Sequence, residues 1–220
     1  MIRAVLFDID NTLTDYVKIK TACVNAAIKA MIKAGLEMDS EDAYDILMKI
    51  YRKSFYESKT IFQAFLKHVN GVVDYKILGA AIVAYRQIRY FVVKPYNGVV
   101  KTLKALKKKG IKLGVLTDTP KVKAWVRLTN LGIVDYFDCV ITFEDTRHRK
   151  PNLIPFKKVV NTLHIKPCEI LFVGDNPNRD IKGGKKIGMK TALAKYGQFI
   201  KGKEKADYEL NKISDVLKYI

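Results

Sequence analysis

Phe7-Asp8-Ile9-Asp10-Asn11-Thr12-Leu13 places two carboxylates two residues apart at the end of an apolar run, Ile2 to Phe7. That run, interrupted by Arg3, reads as a buried parallel strand. Burying an unpaired charge is costly, so packing gives no reason for a carboxylate at such a strand end. In open α/β sheets the carboxyl ends of the strands are where ligands bind. The competing reading is a pair of aspartates that only cap a loop.

Downstream sequence decides between the two. Ile170-Leu171-Phe172-Val173-Gly174 is a second strand run, and it ends in Asp175-Asn176-Pro177-Asn178-Arg179-Asp180. A third, Ile111 to Leu116, ends in Thr117-Asp118-Thr119-Pro120. Between them, Arg149-Lys150-Pro151 puts a lysine before a proline suited to starting a helix. Strand ends carrying acid, hydroxyl and acid, with a lysine nearby, suit a divalent cation, a phosphate and a nucleophile.

Composition narrows the class. A chain of 220 residues is long enough for a real core. It has no run of about 18 apolar residues, which excludes a membrane helix, and the start enters a strand at once, so a cytoplasmic enzyme is expected. Cys23, Cys139 and Cys168 are scattered, which argues against a disulfide framework or a zinc site and predicts three small apolar packing residues. The formal charge of +18 is read first as solvated lysine surface, next as steering of anionic substrates, and last as a nucleic-acid footprint. Oligomeric state, monomer or homodimer, is left open.

From about residue 94 the pattern alternates. Helix 97–109, strand 111–116, helix 120–131, strand 139–142, helix 153–163, strand 170–174, helix 178–187 and strand 190–194 follow in turn, then a short strand and a C-terminal helix over 206–220. This is the rhythm of a doubly wound parallel sheet. Residues 16–93 break it and read as four helices, at about 17–34, 40–55, 59–68 and 74–91, with Val24, Ala27, Ile28 and Met31 at helical spacing. The predicted division is therefore a core of residues 1–15 and 94–220 with a helical block at 16–93.

In order, Asp8-Ile9-Asp10-Asn11-Thr12, Thr117, Lys150, and Gly174-Asp175 with Asp180 resemble the four motifs of the haloacid dehalogenase-like hydrolases. The resemblance spans residues 1 to about 195. It implies a Rossmann-like α/β core, with the first motif strand central between those of the second and fourth, and makes the helical block an α-helical cap of the subfamily I type. The cap would close over the carboxylates and choose the substrate.

The resemblance also implies roles. Asp8, the Asp10 carbonyl and Asp175 would hold a metal, and hard oxygen donors without histidine or cysteine favour Mg²⁺. Asp8 would be the nucleophile that forms an aspartyl phosphate, and Asp10 the general acid and base. Thr117, Asp118 and Lys150 would line the phosphate site. Asp180 and Asn176 would support them from behind, with helix capping as the competing role for Asp180. Thr12 is expected to shape the turn.

Asp10 separates reaction types. Halide leaves without a proton, so dehalogenases lack an acid at that position, and its presence favours phosphorus. The expected function is a Mg²⁺-dependent phosphatase of a small phosphorylated metabolite, with a phosphomutase or dehalogenase of the same family as alternatives. A nucleic-acid-end-processing or binding protein, using Tyr51, Lys53, Tyr56, Tyr85, Arg86, Arg89 and Tyr90, is the alternative from another class. Two positions and one loop depart from the family pattern. Asn11 replaces a common glycine but tolerates left-handed dihedrals. Asp118 replaces a common asparagine. The loop Glu144-Asp145-Thr146-Arg147-His148-Arg149 is richer in base than usual and lacks a customary glycine, and Arg147, His148 and Arg149 are read as solvated in preference to substrate-binding.

Overall fold

The computed structural model describes residues 1–53 and 60–220, the side chains of residues 52 and 53 excepted. The expected helix ends beyond residue 53 and at residue 59, Tyr56 and the Lys53 side chain lie outside the described residues. In chain order the elements are β1 (Ala4–Phe7), α1 (Tyr16–Lys33), α2 (Ser40–Lys53), α3 (Ile61–Asn70), α4 (Tyr75–Val92), α5 (Val99–Lys108), β2 (Lys112–Leu116), α6 (Lys121–Asn130), β3 (Cys139–Ile141), α7 (Phe143–Thr146), α8 (Leu153–Leu163), β4 (Ile170–Gly174), α9 (Lys182–Lys186), β5 (Lys190–Ala194) and β6 (Tyr208–Leu210). They form two compact units, Met1–Val17 with Val93–Ile220, and Lys18–Val92.

The first unit is the expected α/β fold, a six-stranded sheet in the order β3-β2-β1-β4-β5-β6 with every pairing parallel. All four β1 residues are buried, as an apolar strand covered on both faces must be. The chain leaves β1 for β2 on one side and later reaches β4 on the other, so the switch point of the sheet lies at the end of β1. The register lines up the three strand ends, because Phe7 faces Val115 of β2 and Val173 of β4. One residue further on, the Asp8 N–H still donates to the Val173 carbonyl at 2.9 Å. Asp8, Thr117 and Asp175 therefore emerge at neighbouring levels.

The second unit packs one face of each helix into a common core: Val24, Ala27, Ile28 and Met31 from α1, Leu47 and Tyr51 from α2, Phe65 and Leu66 from α3, and Ile77, Leu78 and Ala81 from α4. Spacings of three and four residues make these stripes. Asp74 accepts the backbone N–H groups of Lys76 and Ile77 at 2.8 and 3.1 Å and so caps α4, a contribution of about 1 kcal/mol.

Several local expectations are corrected. Pro151 does not start α8: it follows a cis peptide bond, and Asn152 is the N-cap, accepting from the Ile154 N–H at 2.9 Å. The helix expected at 178–187 is a π-helical turn, Pro177–Ile181, followed by the short α9. The C-terminal helix is a 3₁₀ segment, Ile213–Tyr219. The Glu144–Arg149 loop begins as α7, with the Thr142 and Asp145 side chains forming a capping box. Cys23 and Cys139 are buried, but Cys168 is exposed. Tyr51 is buried, so it is closed to base stacking. Among the described residues, no helix is long and apolar enough to cross a membrane.

Candidate active site

Asp8, at the end of β1, is buried beside Asp175 and Asp180, and one carboxylate oxygen of each lies within 4.8 Å of the others. Lys150 enters this cluster from the segment before α8. Its fully buried ammonium has three partners: Asp8 Oδ1 at 3.0 Å, Asp180 Oδ1 at 2.7 Å and the Leu116 carbonyl at 3.1 Å. Burial alone would lower the Lys150 pKa, but Asp180, Asp8 and Asp118 outweigh it and hold the ammonium above its ordinary value.

One lysine does not neutralise three clustered acids. Burial, followed by repulsion from Asp180 and Asp8, pushes Asp175 up to about 8. Burial also raises Asp180. The Asp175 Oδ1 atom is buried without a hydrogen-bond partner, whereas Asp180 is occupied by Lys150 and by the Asn176 N–H, 3.0 Å from its Oδ2. An unsatisfied carboxylate oxygen beside a second carboxylate, with hard oxygen donors throughout the cluster, fits a divalent cation. The cluster can hold a metal.

Asp10 points elsewhere. Its Oδ1 is ion-paired to Arg127 of α6, and its Oδ2 accepts from the Thr119 hydroxyl at 3.3 Å. The Thr119 N–H donates to Thr117 Oγ1 at 3.2 Å, which orients a buried hydroxyl at the end of β2. Asn11 adopts the left-handed backbone its residue type tolerates, at φ 55°, and its side-chain amide donates to Asp175 Oδ2 at 3.4 Å. Thr12 is fully buried, and its carbonyl accepts from the Tyr196 hydroxyl at 2.8 Å. These bonds brace the turn that carries both acids.

Asp118 is buried with both oxygens engaged. Oδ1 accepts from the Lys150 N–H at 2.9 Å, and Oδ2 pairs with Arg179 at 3.3 Å. The extra carboxylate is thus met by an extra cation, which the π-helical turn carries. Arg147, His148 and Arg149 are all exposed, and Arg149 also donates to the Asp118 carbonyl at 3.0 Å and lies over the Phe143 ring. Asn176 caps its own turn by accepting from the Asn178 N–H at 3.0 Å. Gly174 has a packing reason: a Cβ there would come within 2.6 Å of the Asp180 carboxyl group.

The structure brings Asp8, Lys150, Asp175 and Asp180 into one cluster, sets Thr117 and Asp118 beside it, and turns the Asp10 side chain toward α6. Sequence reasoning missed Arg127, Thr119 and Arg179. The readable signal for Arg127 was an arginine in register with Ala124 and Leu128 on the buried face of an amphipathic helix.

A family model described as haloacid dehalogenase-like hydrolase matches residues 2–188. The chain is 36% identical over 219 residues to the glyceraldehyde 3-phosphate phosphatase of Methanocaldococcus jannaschii, covering 99% of this chain and 96% of that one. It is 30% identical to the enzyme of the same name from Pyrococcus furiosus, covering 100% and 93%. A crystal structure of a HAD phosphatase from Thermococcus onnurineus superposes with a TM-score of 0.71 at 26% identity, covering 99% of this chain and 97% of that one.

Proposed function

The chain belongs to the haloacid dehalogenase-like hydrolases, and from that premise we propose that it is a Mg²⁺-dependent phosphatase of a small phosphorylated metabolite, with Asp8 as nucleophile. The observation that carries this reading is the pairing of Asp8 with a buried lysine beside the unpartnered oxygen of Asp175. The nucleophile is thereby held in place where a cation and a phosphate can both be received.

In the first step an Asp8 oxygen attacks phosphorus, the bond to the leaving oxygen breaks, and Asp10 delivers a proton to that oxygen. In the second, water attacks the aspartyl phosphate while Asp10 takes its proton, releasing orthophosphate and restoring the Asp8 carboxylate. The Thr117 hydroxyl and the Lys150 ammonium bind the non-bridging oxygens where charge collects. Asp118 carries only occupied acceptors on its side chain, so its part is to hold Lys150 and Arg179 in place. Asp8, the Asp10 carbonyl and Asp175 would hold Mg²⁺, with Asp180 behind Lys150. When bound, the ion supplies the positive charge that lets a phosphate approach clustered carboxylates.

Asp10 favours a phosphate ester over a carbon–halogen substrate, as a halide needs no proton. The helical unit is read as the cap that selects the substrate. The names of the two archaeal relatives make glyceraldehyde 3-phosphate the first compound to assay. The test is phosphate release from it and from an aryl phosphate, with Mg²⁺ and with excess chelator. Asp8→Asn and chelation should each abolish turnover. Activity that survives both would overturn the reading.

A further inference from the structure

Arg127 lies on the buried face of α6 between Ala124 and Leu128, with 6% of its surface exposed. A guanidinium taken out of water costs several kcal/mol unless its donors are met. Here they are met at the active site. Nη1 pairs with Asp10 Oδ1 and donates to Thr119 Oγ1 at 3.4 Å, and the guanidinium carbon lies 4.9 Å from the centre of the Tyr16 ring. The Thr119 hydroxyl in turn donates to Asp10 Oδ2. Both oxygens of Asp10 are therefore held from the β2–α6 side.

The two aspartates of the first motif thus have separate cations. Lys150 takes Asp8 into the cluster with Asp175 and Asp180, and Arg127 draws Asp10 out of it. Without that pull, a carboxylate two residues from Asp8 has another cationic destination, the divalent ion that the cluster is built to receive. There it would be a further ligand and no longer an acid and base.

We propose that Arg127 is a positioning residue that holds the Asp10 side chain away from the acidic cluster, in the orientation from which it serves the leaving oxygen. The proposal rests on the phosphatase reading above. Arginine suits the task because it keeps its charge when buried, and one of its nitrogens engages Asp10 and Thr119 together while the guanidinium packs on Tyr16.

The test compares leaving groups. p-Nitrophenolate departs without a proton, whereas an alkoxide needs one, so in the first step, which kcat/KM reports, a misplaced Asp10 should show on alkyl phosphates alone; the later attack of water, where Asp10 takes a proton, is common to both substrates. Arg127→Ala should lower kcat/KM on an alkyl phosphate by about 100-fold or more, the lower end of the range ascribed to general acid catalysis, and on p-nitrophenyl phosphate by less than about threefold. Arg127→Lys should recover most of the alkyl rate. Guanidinium ion added to Arg127→Ala should raise the alkyl rate but should not help Asp10→Asn.

Equal losses of kcat/KM on both substrates, or an alkyl kcat/KM untouched by Arg127→Ala, would overturn the assignment. Arg127→Met and Arg127→Lys, checked for folding by thermal melting, decide the matter if the alanine variant does not fold. Failure here leaves Asp8→Asn inactive, whereas failure of the phosphatase reading leaves it active, so the two are told apart.

Discussion

In the sheet unit, ionisable groups lie at the centre of the fold. Asp8, Asp118, Arg127, Lys150, Asp175 and Asp180 are all buried, and they gather where the strands end. In the helical unit, Lys20 is the one buried charged side chain among the described residues. Its ammonium lies 3.8 Å from the centre of the Tyr51 ring and 3.1 Å from the Tyr85 hydroxyl. One unit accepts the desolvation cost of many charges and balances them in pairs, while the other stabilises itself almost wholly by apolar packing. Groups that lower stability while they await a ligand mark where chemistry is done.

That contrast can be broken by substitution. The largest effect is expected at Lys150. Lys150→Ala strips Asp8 and Asp180 of their shared cation and should cost about 3–5 kcal/mol of stability together with nearly all activity. Denaturant melts and phosphate release measure the two losses. A stable, inactive variant would mean that the lysine serves catalysis alone. Leu47→Ala, in the core of the helical unit, should cost about 2–5 kcal/mol through the cavity it leaves. Folded protein carrying it should keep its dependence on Mg²⁺; losing that dependence would tie the two units more closely than their separate cores suggest.

A smaller effect, with a sign of its own, is expected from pH. The Asp175 carboxyl rises from an ordinary 3.8 to about 8 on folding, through burial and then Asp180 and Asp8. In metal-free protein it therefore favours the folded state fully below about pH 4, and this contribution is lost as pH climbs toward 8. Asp138 acts in the opposite sense: burial works against it, but the Leu113 N–H and the Lys107 ammonium hold its carboxyl low, so its contribution is lost in acid. The readout is thus the difference between wild type and Asp175→Asn. The variant should gain on wild type as pH rises from 5 to 8 in chelator, and adding Mg²⁺ at pH 8 should help only wild type. Parallel pH curves would remove Asp175 from the cation's ligands.

Much of this was readable from sequence, because the signals are local. An apolar run ending in Asp-x-Asp specifies both the strand and the acids at its end, and stripes at helical spacing specify α1 and α2. What escaped depends on topology. Residues 10 and 127 meet only because β1 and β2 are neighbours in the sheet, so no spacing in the chain announces the Asp10–Arg127 pair. The partner of Asp118 was hidden for a related reason. Arg179 reaches it from a π-helical turn, in a stretch that reads locally as the start of a plain helix. The α7 capping box, Thr142 with Asp145, was legible but was passed over among the charges of the loop that follows.

The most direct test of the central claim is to quench a turnover in acid within milliseconds and weigh the peptide that contains Asp8. The account predicts a phosphoryl group on that peptide in wild type, accumulating further in Asp10→Asn and absent from Asp8→Asn. Turnover with no phosphorylated peptide, together with an active Asp8→Asn, would contradict it.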